Sequence, residues 1–231
     1  MRLSSFLIYL ICWTSTAEEI TIALPFNGNP PYSYGQGNPE KGLYIELFNL
    51  IFAKTPYTVK YIYLPNARIR SAFINGAIDI ECCPTPMWRQ EEKAISRYSD
   101  RIFQTNDRYV FAKGKILNTE AIDGKVIATI LGYGYKDENL FKRFEVNSEI
   151  EMLQLITNKR ISIGIIDEKI AHYLASISQL EISLGDIHEQ VNRTIRVHHS
   201  KAYILPSINQ AIKEAKNKNL IDNIFQKYTT I

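Results

Sequence analysis

The first half of the chain alternates between strand-like and helix-like patterns of apolar and polar residues. Three runs rich in β-branched and aromatic residues predict strands, and two stretches with apolar residues at helical spacing predict helices between them. In chain order, the elements are a strand at 20–24, a helix at 43–54, a strand at 58–64, a helix at 66–75 and a strand at 78–83. This succession predicts a mostly parallel sheet with helices on both faces.

The same rhythm restarts in the second half and predicts a second, smaller α/β unit. Its elements are a strand at 124–130, a helix that begins near Lys136, a helix at 150–159, a strand at 161–166 and a helix at 167–177.

Two extended segments, at 107–113 and 194–202, connect the two units, and a long amphipathic helical segment at 206–228 follows. We therefore expect an α/β fold with two lobes and two crossings between them. Because ligands of open α/β sheets bind outside the carboxyl ends of the strands, two facing lobes create one cleft. The expected bounds are 18–111 with 200–231 for lobe one, and 112–199 for lobe two.

The N-terminus has the composition of a secretory signal peptide. Basic Arg2 is followed by a short apolar run at 6–13, and small residues at 15–17 precede Glu18. This order is typical of such peptides, and the run is shorter than the roughly 20 apolar residues of a membrane span. We expect a signal peptide over 1–17, cleaved near Ala17, and a soluble mature chain in the periplasm.

Composition and charge exclude several classes of protein. Hydrophobic residues make up 45% of the 231 residues, and 27 basic side chains nearly balance 24 acidic ones, so the net charge is +3. This hydrophobic content with balanced charge excludes a disordered chain. Nucleic-acid-binding proteins carry a stronger and more clustered basic bias, so no nucleic-acid partner is expected, and a monomer is the default expectation.

Two of the three cysteines, Cys82 and Cys83, lie beyond the predicted signal peptide and are adjacent. A disulfide between neighbours is strained, because their Cα atoms lie too close for relaxed geometry. We therefore expect two small hydrophobic side chains at the end of a buried strand. Neither this pair nor His172 nor the pair His198 and His199 has the spacing of a metal site, so no metal and no cofactor is expected.

Several short segments, taken in their order along the chain, resemble one family. They are PPYSY at 30–34, GLYIEL at 42–47, the stretch from Arg68 to GAID at 76–79, DGKVI at 123–127, and the closing segments at 211–214 and 219–228. This set resembles the bacterial extracellular solute-binding proteins of family 3, the polar amino-acid receptors of ABC importers. The resemblance implies a two-lobed, periplasmic-binding-protein-like fold of type II that closes on a small ligand.

The resemblance also implies how a ligand carboxylate is held. A buried carboxylate needs a bidentate cation, and Arg89 lies after the third strand, where the family carries T-x-x-R. One extra residue separates Thr85 from Arg89 here, and a structural or surface ion pair of Arg89 stays open as the alternative. The loop with Gly132 and Tyr133, where a strand is expected to lead into a helix, would add backbone N–H donors, with a plain tight turn as the alternative.

Two further charged residues are candidates. Asp167 begins a helix directly after a strand, where the family places an acid against the ligand ammonium, and a helix cap is the equal alternative. Arg68 opens a helix beside the cleft and can pair with a ligand acid or with Glu81.

Aromatic residues complete the expected pocket. Tyr32, Tyr34 and Trp88 are expected to wall the ligand, with ordinary packing as the alternative for each. The extra residue before Arg89, together with neighbouring prolines, indicates a reshaped pocket whose ligand need not have an α-amino-acid backbone.

We therefore predict a periplasmic receptor that captures an amino acid or a similar small polar solute and delivers it to an ABC permease at the inner membrane. An enzyme on the same scaffold, similar to a cyclohexadienyl dehydratase, is one alternative and would use Glu81 or Asp167 as acid or base. A ligand-sensing module for a membrane receptor is another. The chain has no nucleophile elbow, phosphate loop or metal motif, which favours the binding protein.

Overall fold

The computed structural model describes residues 17–115 and 122–229. The predicted signal peptide falls on residues outside the described part, except for Ala17. Over the described residues, the chain forms two five-stranded sheets with six α-helices around them. None of these helices is long and apolar enough to cross a lipid bilayer.

The first sheet forms lobe one, and its strands lie in the order β2-β1-β3-β10-β4 when all strands are numbered along the chain. β1 pairs in parallel with β2 and β3, whereas β10 runs antiparallel to β3 and β4. The strands are β1 Glu18–Pro25, β2 Tyr57–Leu64, β3 Ile80–Cys82, β4 Ser96–Tyr98 and β10 Ile195–His198. The helices of this lobe are α1 Leu43–Phe52, α2 Asn66–Ile74, α5 Leu205–Asn217 and α6 Leu220–Thr229, with 3-10 segments at Pro86–Ile95 and His199–Ile204.

The second sheet forms lobe two, with the strand order β7-β6-β8-β5-β9. β6 pairs in parallel with β7 and β8, and β5 runs antiparallel to β8 and β9. The strands are β5 Phe103–Ala112, β6 Val126–Ile130, β7 Lys142–Val146, β8 Gly164–Asp167 and β9 Ile182–Arg193. Helices α3 Glu149–Thr157 and α4 Glu168–Ser178 pack against this sheet.

The chain passes between the lobes twice, once between β4 and β5 and once at Thr194. The predicted two-lobed α/β fold with two crossings is therefore confirmed. The strands change sheet earlier than the expected bounds at 111 and 200, because β5 pairs with β8 and β9, and β10 pairs with β3. These pairings join residues far apart in the chain, so no local pattern reveals them.

Helix α1 positions the first loop of lobe one against the cleft. Its apolar positions Leu43, Leu47 and Ile51 are almost completely buried, as their helical spacing predicts. The helix is preceded by Gly42, which has a φ of 133°. A Cβ atom at this position would lie 2.4 Å from the backbone oxygen of Tyr32. Only glycine therefore lets the Tyr32 loop pack against the start of the helix.

The predicted helix beginning near Lys136 is wrong. Residues 136–141 form a turn, in which Asp137 has a positive φ, and Lys142 then begins β7. β7 lies at the edge of the second sheet, and its side chains are mostly charged and exposed. Such an edge strand lacks the apolar alternation that marks a strand in a sequence. The expected strand-to-helix transition at Gly132 is therefore absent as well, because a turn follows β6.

The expectation of two separate hydrophobic thiols at Cys82 and Cys83 is also wrong. The structure joins the two residues in a disulfide across a cis peptide bond, with their Cα atoms 3.1 Å apart. Their separation lies below the roughly 4.4–6.8 Å of most disulfides, the range on which the expectation depended.

Candidate ligand-binding site

A cavity of about 70 Å³ lies between the two lobes. Residues at the carboxyl ends of strands from both sheets line it: Pro25 of β1, Cys82 of β3, Ile130 of β6 and Asp167 of β8. This is the position at which open α/β sheets bind ligands. One water needs roughly 10–15 Å³ of such volume, so the cavity has room for a small solute.

Arg89 lines the cavity from lobe one and is 4% exposed. Its Nη2 atom donates to Glu81 Oε1 at 2.7 Å and to the backbone oxygen of Gly132, in lobe two, at 3.3 Å. The Nε atom of Arg89 is buried and has no hydrogen-bond partner within residues 17–115 and 122–229. A carboxylate of the protein therefore occupies one side of the guanidinium group, and the N–H of Nε remains unsatisfied.

Glu81 belongs to a buried ion-pair network that extends away from the cavity. Its second oxygen accepts a hydrogen bond from Arg196, which is fully buried and also donates to Glu92. Glu92 in turn pairs with Arg70. Removing one member of such a network leaves an uncompensated buried charge, so Glu81 is held in place to face Arg89.

Asp167 is the matching carboxylate of lobe two, and it has several protein partners. Its Oδ1 atom accepts hydrogen bonds from the backbone N–H groups of Lys169 and Ile170, so Asp167 caps α4. Its Oδ2 atom accepts from Arg193 Nη2 at 3.0 Å. The phenol of Tyr32 donates to the same carboxylate from lobe one, at 3.0 Å from Oδ1.

Arg193 is the second guanidinium group of the cavity, and it also has protein partners. Besides Asp167, its Nη2 atom pairs with Asp107 Oδ1 at 3.4 Å, and its Nε atom donates to Thr105 at 2.9 Å. Its guanidinium carbon lies 5.2 Å from the centre of the Trp88 ring, across the lobe interface. Both arginines of the cavity are thus neutralised by carboxylates of the chain.

Glu149 is a buried carboxyl group that has no cationic partner among the described residues. It is the first residue of α3, lines the cavity, is 4% exposed, and accepts a hydrogen bond from the phenol of Tyr133 at 3.2 Å. Burial raises the pKa of Glu149 to about 7. Burial also raises the pKa of Asp107 to about 7, although Arg193 acts in the opposite direction.

The two lobes are in direct contact around the cavity. The indole N–H of Trp88, in lobe one, donates to Glu189 of lobe two at 2.9 Å. A Cβ atom on Gly134 of lobe two would lie 2.6 Å from the Cβ atom of Trp88. Together with the Tyr32–Asp167 and Arg89–Gly132 hydrogen bonds, these contacts close the cleft.

The structure brings six of the nine predicted site residues together. These six line the cavity: Tyr32, Trp88, Arg89, Gly132, Tyr133 and Asp167. The other three lie elsewhere. Tyr34 lines a separate groove with Tyr173 and Tyr228, Arg68 is exposed on α2, and Thr85 is buried immediately before the 3-10 segment Pro86–Ile95.

Five lining residues that the sequence analysis does not single out are Asn29, Tyr44, Asp107, Glu149 and Arg193. A weak signal exists for two of them. Asp107 begins the first expected crossing and Arg193 directly precedes the second, and crossing segments of a two-lobed fold pass the cleft. Asn29 lies one residue before the PPYSY segment, whereas Glu149 carries no signal, because an acid in the first turn of a helix is ordinary.

Within the described ranges, no group of three or more His, Cys, Asp or Glu side chains is arranged to hold a metal ion. The polar groups of the cavity are instead carboxylates, guanidinium groups, two amides and phenols. Such groups bind small polar organic molecules by hydrogen bonds and charge.

The fold and the cavity define a two-lobed solute-binding protein. The family model of the bacterial extracellular solute-binding proteins, family 3, matches residues 22–231, so the chain belongs to that family. No curated protein sequence matches the chain.

Solved structures share the fold at low sequence identity. The substrate-binding protein of an amino acid ABC transporter is 18% identical, over 92% of this chain and 100% of that chain, with a TM-score of 0.77. The GluR0 ligand-binding core from Nostoc punctiforme, in complex with L-glutamate, is 18% identical over 91% and 98%, with a TM-score of 0.74. AncCDT-1, an ancestral amino acid-binding protein and a precursor of cyclohexadienyl dehydratase, is 18% identical over 91% and 95%, with a TM-score of 0.71.

Proposed function

We propose that this protein captures a small polar solute in the cavity between its lobes and delivers it to an ABC permease at the inner membrane. The single observation that carries the proposal is a cavity between the lobes that is lined by buried polar groups of both. The family is one of extracellular solute-binding proteins, and one solved neighbour is the substrate-binding protein of an amino acid ABC transporter.

Two lining residues have buried polar atoms that no protein group satisfies. These atoms are Asn29 Oδ1 and Arg89 Nε. A buried donor or acceptor without a partner costs about 1–3 kcal/mol. A solute bound close enough to accept from Arg89 and donate to Asn29 would remove both costs, which supports a binding role for this cavity.

The compartment and the assembly follow from the same proposal. A signal peptide over 1–17 would direct the chain to the periplasm, which agrees with the extracellular character of the family. A monomer with one cleft is sufficient for capture, because both walls of the cavity come from a single chain.

A second candidate function is catalysis on the same scaffold. Two buried carboxyl groups in the cavity, those of Asp107 and Glu149, have pKa values raised to about 7 by burial, and such groups suit acid or base chemistry near neutral pH. One solved neighbour is a precursor of a dehydratase. Glu81 and Asp167, the carboxylates that the sequence favours for this chemistry, are each paired with arginine. Turnover of a prephenate-like substrate that is lost in Glu149→Gln would establish the enzyme.

A thermal-shift screen of the ligand-free protein tests the binding function. A solute at 1,000 times its Kd stabilises the folded state by about 4 kcal/mol, so the Tm should rise by roughly 10 °C. The screen includes amino acids, amines, small acids, sugars and short peptides.

A pair of variants assigns the binding to the cavity. Asn29→Leu removes the unsatisfied acceptor and should reduce the shift, whereas Asn27→Leu, at an exposed position of the same loop, should leave it unchanged. A folded protein whose Tm responds to none of these solutes would contradict the proposed function.

A further inference from the structure

We propose that the cavity is selective for a small organic cation that carries no carboxylate, such as a primary amine or a guanidine. This inference rests on the proposed function and names the class of solute. Two groups on opposite lobes of the cavity carry it: the buried carboxyl group of Glu149, which forms no ion pair with the described residues, and the unsatisfied amide oxygen of Asn29. The two arginines beside them are already neutralised by carboxylates of the protein.

The charged groups of the cavity are predominantly acidic. The carboxylates that line it are those of Glu81, Asp107, Glu149 and Asp167, against the guanidinium groups of Arg89 and Arg193. The residues next to the lining do not reverse this excess. Arg196 and Arg70 add two cations, which pair with Glu81 and Glu92, and Glu92 itself adds one carboxylate. Glu189, which is also buried, adds a further carboxyl group near Trp88. A cation would balance the excess of negative charge.

Neither arginine is available as a fork for a ligand carboxylate. The Nη2 atom of Arg89 donates hydrogen bonds to Glu81 and to the backbone oxygen of Gly132, and its Nη1 atom donates to the backbone oxygen of Trp88 at 3.2 Å. The Nη2 atom of Arg193 donates to Asp107 and Asp167. The carboxylate of Glu81 is thus bound to Arg89, the residue that the sequence analysis expected to bind a ligand carboxylate. Within the described residues the N–H of Arg89 Nε has no partner, and a lone N–H suits a neutral acceptor.

Two groups of the cavity, one on each lobe, are acceptors suited to N–H donors. Asn29 is 7% exposed, and its Oδ1 atom is buried with no hydrogen-bond partner among the described residues. Glu149 is 4% exposed, and from the same part of the chain it accepts hydrogen bonds from the phenol of Tyr133 and from its own backbone N–H. An ammonium or guanidinium group has several donors and a positive charge, so it suits each of these two groups.

Matched pairs of solutes test this selectivity by isothermal titration calorimetry. Each pair consists of an amino acid and the amine that remains after its carboxylate is removed: lysine and cadaverine, arginine and agmatine, histidine and histamine. Glucose serves as a neutral probe. In at least one pair the amine should bind about 10-fold or more tighter, because a carboxylate near buried carboxylates is disfavoured at low dielectric.

Variants assign the selectivity to the cavity. Glu149→Gln keeps the acceptor for Tyr133 but removes the charge, and should weaken binding of the preferred amine by about 30-fold, as truncating one partner of a buried charge pair does. Glu91→Gln, whose side chain is 91% exposed on lobe one, is the matched control and should bind with unchanged affinity.

Each alternative result has a definite meaning. If in every pair the amino acid binds as tightly as its amine or more tightly, or if only glucose binds, the selectivity is overturned and the binding function stands. If the amine binds but Glu149→Gln binds it equally well, the assignment of the cation to this carboxylate is overturned. If no probe and no solute of the thermal-shift screen binds to the folded protein, both proposals fail together.

Discussion

Replacing Glu149 by glutamine is expected to raise the Tm of the ligand-free protein at pH 8 by roughly 5–10 °C. The pKa of this carboxyl group is raised by burial to about 7, above its ordinary value of 4.5. The folded state therefore binds this proton more tightly than the unfolded state does. The resulting stabilisation is fully present below about pH 4.5 and is lost as the pH rises to about 7, a change of about 3 kcal/mol.

The glutamine side chain of this variant cannot ionise, so the variant should escape this loss while its amide oxygen still accepts from Tyr133. The difference in unfolding free energy between the variant and the native chain should be small at pH 5 and should grow up to pH 7.5. Urea unfolding at several pH values measures it, and Glu91→Gln, at an exposed position, should follow the native chain. A Glu149→Gln variant no more stable than the native chain at pH 8 would show that this carboxyl group is not stabilised in its protonated form.

The same substitution has opposite effects on stability and on the proposed function. A carboxyl group that destabilises the empty protein at neutral pH is retained at a cost, and a cationic solute would offset that cost. Functional sites often keep such destabilising groups.

Replacing Gly134 by alanine is expected to weaken solute binding by about 10- to 100-fold, the range that overpacking of a close contact produces. A Cβ atom here would lie 2.6 Å from the Cβ atom and 2.9 Å from the backbone oxygen of Trp88, on the opposite lobe. Gly134 does not have a positive φ, so its own backbone tolerates alanine. Separating the lobes relieves the clash, and the variant should therefore fold but favour an open cleft.

Calorimetry and small-angle X-ray scattering check this prediction together. The Gly134→Ala variant should show a weaker affinity and, with solute present, a larger radius of gyration than the native chain. Gly37→Ala is the matched control, because a Cβ atom at Gly37 has no atom within 4 Å. Unchanged affinity and unchanged size in Gly134→Ala would mean that close approach of Trp88 and Gly134 is not needed for binding.

The elements that the sequence predicts correctly are those whose own periodicity reports burial. α1 and β1 follow their apolar patterns within two residues at each end. The sequence does not predict β7 or β9, because β7 is a charged edge strand and only a few residues of β9 are completely buried. The order of strands in each sheet depends on pairings between distant segments, such as β10 with β3, and these leave no local trace.

The sequence predicts the positions of the site residues better than it predicts their partners. Arg89 and Asp167 line the cavity as their places after strands suggest, yet their partners, Glu81 and Arg193, come from pairings that spacing does not encode. Asp167 is both a helix cap and a cavity residue, so the two interpretations of its sequence position are compatible. Arg68 lies on α2, the helix that the sequence predicts, but its side chain is exposed. A shift of one position along a helix moves a side chain to another face, and the sequence pattern does not fix that position.

A crystal structure of the native chain with its tightest-binding solute tests the central claim most directly. The account predicts one solute molecule between the lobes, in contact with residues of both, with a donor within hydrogen-bond distance of Asn29 Oδ1 and a positive group against Glu149. A solute bound instead in the groove of Tyr34, Tyr173 and Tyr228, with the cavity holding only water, would contradict it.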